Sequence, residues 1–364
     1  MDRSWNQKEK GDKGRKGGMT QSETPPAGAG GIRWIRRKIL VLSIIAVLLM
    51  GIAFYHYAVS PSNDLTVTKI IDIPKGSSFL QVTEILNDAG MVNNRPFFWA
   101  LALVKKANRH IRVGEYELTG AMSPSEIIDK LVRGQIKDYL VTLPEDITVS
   151  DVAKRLSAFK LINEKEFATL AADRSFLASL DIEADSIEGY LYPDTYRFDQ
   201  SMTIQEILRI LVGKFWKEVT PEMQKRAQEI GLTQTQWVTL ASIIGKYSGS
   251  KEEKAIISAV FHNRLKRGMK LQSDPTAIYG LERKEKVVGK DRRYYRKSDT
   301  PYNTYRIVGL PPGPIANPDI NSLRAALYPA KVDYLYIAAK KDGAYKFSQD
   351  MDIKRRTAPR NARR

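Results

Sequence analysis

The chain has 364 residues, 43% of them hydrophobic and 27% charged, with 17 prolines. This excludes collagen-like, wholly disordered and polytopic membrane classes and leaves room for two or three domains. The absence of cysteine excludes disulfide frameworks, thiolate metal sites and a cysteine nucleophile. The three histidines, His56, His110 and His262, do not make a metal cage, so no metal and no cofactor is expected. The formal charge of +17 sits mostly at the ends. Residues 1–38 hold ten Lys/Arg against four Asp/Glu, and residues 351–364 hold six against one. The body between them is only mildly basic. That suits an anionic polymer or a membrane surface, and it is not a phosphate-binding stripe, so no nucleic-acid partner is expected.

In chain order, residues 1–38 read as a disordered basic tail, rich in Gly, Lys and Pro. Residues 39–59, Ile39 to Val59, are 21 residues without Asp, Glu, Lys or Arg. As a helix this run spans roughly the 30 Å hydrocarbon core. Arg33, Arg36, Arg37 and Lys38 precede it, and Asp64 is the first charge after it. The positive-inside rule therefore puts the tail in the cytoplasm and the rest outside. The polar leader is long and the apolar run exceeds a signal-peptide h-region, which favours a retained single-pass anchor over a cleaved signal.

A short repeat follows. Ile73–Leu86 is IPKGSSFLQVTEIL and Leu143–Leu156 is LPEDITVSDVAKRL. Each has a proline turn, then a Ser/Thr cap (Ser77 or Ser78; Thr148 or Ser150), then an amphipathic helix. Each follows a β-like run, Thr66–Ile73 or Asp138–Leu143. Between them, helix signals at Pro96–Ala107 and Ser123–Val132 flank a strand signal at Gly114–Leu118. Residues 65–138 thus read as a small α+β module, and 139–348 as a larger mixed α+β domain. Its helices are expected at Glu164–Ala172, Thr203–Val219, Pro221–Ile230, Thr233–Lys246 and Glu252–Arg267, with strands at Tyr334–Ala339 and Tyr345–Phe347. Residues 349–364 read as a basic tail.

Five dense segments carry the chemistry: EGYLYPDTYRF (188–198), ASIIGKY (241–247), FHNRLKRGMKLQSDP (261–275), YNTY (302–305) and GLPPGPIANP (309–318). Any single tyrosine here reads as packing. Together the segments suggest a groove with aromatic faces for sugar rings and amides or carboxylates for hydroxyls. A Ser–His–Asp hydrolase fits poorly, because His262 falls in an amphipathic helix with Ile257, Val260, Phe261 and Leu265.

In EGYLYPDTY, NRL-x-x-GM-x-LQSDPT, YNTY and GLPPGPIANP the chain resembles the endolytic murein transglycosylase (YceG-like) family, from the anchor to about residue 340. The resemblance implies a bitopic protein of the bacterial inner membrane, its C-terminal domain extracytoplasmic, with a LysM-like module (65–138) before a transglycosylase-like domain (139–348). It implies cleavage of nascent peptidoglycan strands with formation of 1,6-anhydromuramic ends, and peptidoglycan synthases as candidate partners. It also implies a sugar-binding set of Tyr190, Asp194, Tyr196, Gln272, Asp274, Tyr279, Asn303 and Tyr305. The family's single catalytic glutamate falls at position 245, which is Gly245 here. The ungapped match on both sides fixes that register. Trp237, Leu240, Ala241 and Ile244 form an apolar stripe on which position 245 also lies, so a carboxyl there would be partly desolvated. Glycine supplies no proton. Two expectations follow: an impaired enzyme, with Glu188 as a substitute acid, or a non-catalytic glycan-binding partner of the elongation machinery.

Overall fold

The structure, a computed structural model, describes residues 29–61, 67–74, 76–107, 111–247, 249–284, 292–340 and 344–350. Most of the basic leader (1–28), His110 and the basic stretch 351–364 lie outside the described residues. The molecule is mixed α+β with one N-terminal apolar helix. That helix, α1 (Ala29–Val59), contains a stretch, Trp34–Val59, long and apolar enough to cross a membrane.

The first layer of structure repeats. Strand β1 (Thr68–Ile73) leads into α2 (Phe79–Asp88), whose N-cap Ser78 forms a capping box with Gln81. After α3 (Arg95–Val104), β2 (Gly114–Thr119) pairs antiparallel with β1. Next comes α4 (Pro124–Arg133), capped by Ser123 with proline in its first turn and left-handed Gly134 at its end. Strand β3 (Tyr139–Thr142) then leads into α5 (Val149–Ala158), whose N-cap Thr148 forms a capping box with Asp151. Thr148 and Asp151 each stand 70 positions after Ser78 and Gln81, so the two β–turn–α units carry the same capping box at the same place in the repeat. Of the alternative caps, Ser78 and Thr148 are used: each side-chain oxygen accepts from the amide three residues on, in the first turn, which helix geometry leaves unpaired.

The larger part follows with α6 (Glu164–Leu170), α7 (Arg174–Ala178) and β4 (Thr195–Phe198), which pairs antiparallel with β3 from Tyr139↔Phe198 to Thr142↔Thr195. Then come α8 (Ile204–Glu218), α9 (Pro221–Glu229), α10 (Gln234–Gly245), α11 (Lys251–Lys266), α12 (Asp274–Glu282), α13 (Arg292–Lys297) and α14 (Ile320–Leu327). The hairpin β5 (Tyr336–Ala339) and β6 (Tyr345–Ser348) closes the described chain. The strand at 195–198, α7 and the last three helices, all of nine residues or fewer, are not among the elements expected from the sequence.

Two apolar clusters result. One gathers β1, β2 and α2–α4 around Leu86, Phe98, Tyr116 and Ile127. Phe54 and Tyr57 of α1 pack edge-on against Phe97 beside it. The other surrounds α10. Here the expected stripe is corrected. Every residue from Trp237 to Gly245 is buried, not one face alone, because α9, α11 and α14 enclose the helix. Ser242 fits this setting by donating to the Thr239 carbonyl (2.8 Å) and accepting from the Ile315 amide (3.0 Å).

Candidate functional site

The segment 188–198 is held by the segment 309–318. The Oδ1 of Asn317 accepts from the amides of Gly189 (2.9 Å) and Leu191 (3.0 Å), and its Nδ2 donates to the Ile147 carbonyl (2.9 Å). Gly189 takes φ +93°, and a Cβ there would lie 2.6 Å from Pro314 Cβ and 2.8 Å from Val238. Only glycine allows this close backbone approach. Glu188 is 4% exposed. One carboxyl oxygen accepts from the Val149 amide (3.0 Å) and Asn317 Nδ2 (3.4 Å), the other from the Tyr279 hydroxyl (3.0 Å). Burial pushes its carboxyl up to about 7, against the pull of those hydrogen bonds.

Glu188 lines one wall of a cavity of about 510 Å³ with Arg283, Thr300, Tyr302 and the turn at Pro312–Pro314. Arg283 donates to the Tyr302 hydroxyl (3.0 Å) and lies over the rings of Tyr279 and Tyr302. A guanidinium, a phenol and a protonatable carboxyl on one wall can hold a hydroxyl-rich ligand. A larger hollow, about 670 Å³, lies between 160–173 and 200–205 and contains none of the motif residues.

A second polar cluster lies around Asp274. Arg296 binds its carboxylate through two nitrogens (2.8 and 3.0 Å), and the Tyr305 hydroxyl donates to it (2.6 Å). Gln272 enters at φ +54° with its amide on the Thr304 carbonyl (3.1 Å). Tyr247 donates to Ser273 Oγ (3.1 Å) and packs edge-on to Phe261.

At the end of α10 stands Gly245. A Cβ built there would lie 2.7 Å from Cγ and 3.1 Å from Oδ2 of Asp146, and closer still to Oδ1. The Asp146 carboxyl therefore occupies the space where a side chain at 245 would begin. Asp146 has φ +60°. Its amide donates to the Asn317 carbonyl (2.9 Å), and Lys246 Nζ donates to its carbonyl (2.6 Å). Its Oδ1 is buried and has no hydrogen-bond partner among the described residues. Burial raises the carboxyl to about 6, with Lys254 and Lys246 lowering it and Asp319 and Glu145 raising it. Beside it, Lys254 and Asp319 form a buried pair (3.0 Å) that also holds Ser322.

The expected sugar-binding residues divide by place. Tyr279 meets the cavity through Glu188, and Gln272, Asp274 and Tyr305 form the second cluster. Asp194 lies elsewhere, paired with Lys214 at 3.3 Å. Two expectations are corrected. Tyr190 has no exposed surface and packs against Phe215 and Trp216, so its ring presents no face to a ligand. Asn303 is fully buried, its Nδ2 donating to the carbonyls of Tyr295, Arg296 and Ser298, which makes it a loop staple. Tyr196, stacked on Phe198 and donating to the Tyr192 carbonyl (2.6 Å), is also mostly interior. Sequence reasoning did not single out Asp146, Arg283 or Asn317. For Asp146 a signal existed: in the repeat its counterpart is Gly76, at φ +83°.

Comparison with known proteins places this geometry in context. The YceG-like family profile matches residues 71–358. The endolytic murein transglycosylase of Bacillus subtilis (strain 168) is 30% identical over 308 residues, covering 79% of this chain and 83% of that protein. The protein of the same name from Streptococcus pneumoniae serotype 2 is 26% identical over 297 residues, and the match spans only 54% of its greater length. The crystal structure of a YceG-like protein from Listeria monocytogenes is similar with a TM-score of 0.55 and 29% identity, over 80% of this chain and 99% of that one.

Proposed function

The chain belongs to the YceG-like family, and on that premise we propose that it is a membrane-anchored endolytic lytic transglycosylase of peptidoglycan. It would cut nascent glycan strands between N-acetylmuramic acid and N-acetylglucosamine, leaving 1,6-anhydromuramic ends. The observation that carries this reading is the family match across 71–358, with the segments 188–198 and 309–318 meeting at one cavity.

The reaction needs one carboxyl group. The acid protonates the glycosidic oxygen, and its conjugate base then takes the proton of the sugar's own C6 hydroxyl, which closes on C1. No water enters, so the second carboxylate of a hydrolase is not required. Position 245 is the acid position on this reading, and Gly245 leaves it without a carboxyl. A non-catalytic glycan-binding role is the second reading, and Gly245 is what favours it.

Helix α1 would anchor the chain in the inner membrane with its N-terminus cytoplasmic, and the module at 65–138 would act as a LysM-like glycan-binding unit. Peptidoglycan synthases are the partners such a position offers. Purified sacculi incubated with the full chain test the reading. Co-sedimentation together with new 1,6-anhydromuramyl ends is expected of an enzyme, and co-sedimentation alone of the second reading. A chain that stays in the supernatant at low salt refutes both.

A further inference from the structure

We propose that Asp146 supplies the carboxyl that position 245 lacks, so that this chain carries its general acid on the turn before α5 and not on α10. The inference rests on the transglycosylase reading above.

Three observations point to it. The first is place. The Asp146 carboxyl fills the space in which a residue-245 side chain would begin, so the two positions compete for one volume. Gly245 is what makes room for the carboxyl.

The second is conformation. The same turn occurs 70 residues earlier with glycine at the equivalent position, Gly76, at φ +83°. Asp146 holds φ +60°, a region aspartate tolerates and glycine takes freely. Glycine would serve the turn better, so the turn alone does not call for this side chain. Backbone strain held in this way gathers at functional positions.

The third is partnering. Neighbouring carboxylates are in use: Asp151 completes the capping box of α5 with Thr148, and Asp319 caps α14 while pairing with Lys254. Both oxygens of Glu188 accept hydrogen bonds inside the fold. Oδ1 of Asp146 is buried with no partner among the described residues, although its backbone is clamped by Asn317 and Lys246. A fixed, buried and unpaired acid oxygen is costly, and such an oxygen calls for a water, an ion or a reacting group to complete it. Burial also keeps the proton on this group toward neutral pH, with Lys254 and Lys246 opposing and Asp319 and Glu145 assisting, which suits a group that must first give and then take a proton. Glu188, which holds Val149 and Asn317, is a positioning residue here.

The step balances without a co-reactant. Asp146 O–H gives its proton to the N-acetylglucosamine O4 as the muramyl C1–O4 bond breaks, its electron pair going to O4. The carboxylate takes the proton of the muramyl C6 hydroxyl as O6 bonds to C1. Asp146 ends protonated, as it began.

The test uses the full chain on purified sacculi, with anhydro ends counted by mass spectrometry of muropeptides, sacculus co-sedimentation, and the thermal midpoint. The wild-type chain is expected to form ends. Asp146→Asn should lower the rate at least about a hundredfold with co-sedimentation unchanged. Asp146→Gly should lose activity at a midpoint no lower than wild type, a combination that a merely structural aspartate would not give. The pair Asp146→Gly with Gly245→Glu should regain ends. Asp146→Asn retaining more than a third of the wild-type rate would overturn the proposal. So would a wild-type chain that binds sacculi and forms no ends, whether or not the paired variant does, since the acid would then be lost and not moved. Absence of both binding and ends in every variant removes the transglycosylase reading itself, and this proposal with it.

Discussion

Gly245 and Asp146, ninety-nine positions apart, share one volume: a Cβ on the glycine would stand 2.7 Å from the aspartate's Cγ. Neither residue can be considered alone. A glutamate placed at position 245 must first displace the carboxyl already there.

The contact predicts a coupled pair. Gly245→Ala and Gly245→Glu should each destabilise by about 1–3 kcal/mol, the usual cost of overpacking, despite the better helix propensity of both residues. With Asp146→Gly in the background the penalty should disappear. Urea denaturation of the four corners of each cycle measures the coupling, expected to be at least ~1 kcal/mol; additive effects would show that the two side chains do not meet.

Stability should fall as pH rises from about 4 to about 7. Burial lifts Asp146 to about 6 and Glu188 to about 7, both above their values in an unfolded chain. A raised carboxyl contributes its stability in full below the unfolded value and loses it as pH climbs through the folded value. His262 acts in the opposite sense over part of this window, since burial holds its imidazole below the usual range. The informative quantity is therefore the difference between wild type and variant. Asp146→Asn and Glu188→Gln should each flatten the decline in thermal midpoint, and parallel curves would contradict the assignment.

Asp319→Ala should be among the most damaging single changes. It strips the cap from α14 and leaves the Lys254 ammonium, 8% exposed, with the neutral Ser322 hydroxyl at 3.0 Å and Glu145 at 3.8 Å. Breaking a buried pair from one side costs about 3–5 kcal/mol. Adding Lys254→Met should recover part of that loss in chemical denaturation, and no recovery would mean the cap, not the charge, dominates.

Gly189→Ala should destabilise by about 2–4 kcal/mol, through strain at positive φ and contact with backbone-bound neighbours. The Cβ would meet Pro314 and Val238 at under 3 Å, and neither side chain can swing away. The measurement is again the denaturation midpoint. A change within 0.5 kcal/mol would show that the approach of segments 188–198 and 309–318 is looser than described.

Local features could be read from residue order. The apolar run of α1, the cap choices Ser77 or Ser78 and Thr148 or Ser150, and the helices they open were legible, and Ser78 and Thr148 are the caps used. A capping box or a hydrophobic period is complete within a few residues. The five motif segments were legible too, as patterns without positions. Tertiary structure alone decided the rest. Tyr190 and Asn303 sit in segments that read as binding loops, yet Phe215 and Trp216 bury the first and three carbonyls of the 295–298 segment hold the second. Helix α10 reads as amphipathic and lies buried on all sides, because α9, α11 and α14 close over its second face. Asp146 reads as a turn residue beside a cap. It becomes a candidate acid only because strand pairing, Asn317 and Lys246 bring its carboxyl to the end of a helix a hundred residues away. Its burial and missing hydrogen bond belong to that meeting, and nothing in its own segment could encode them.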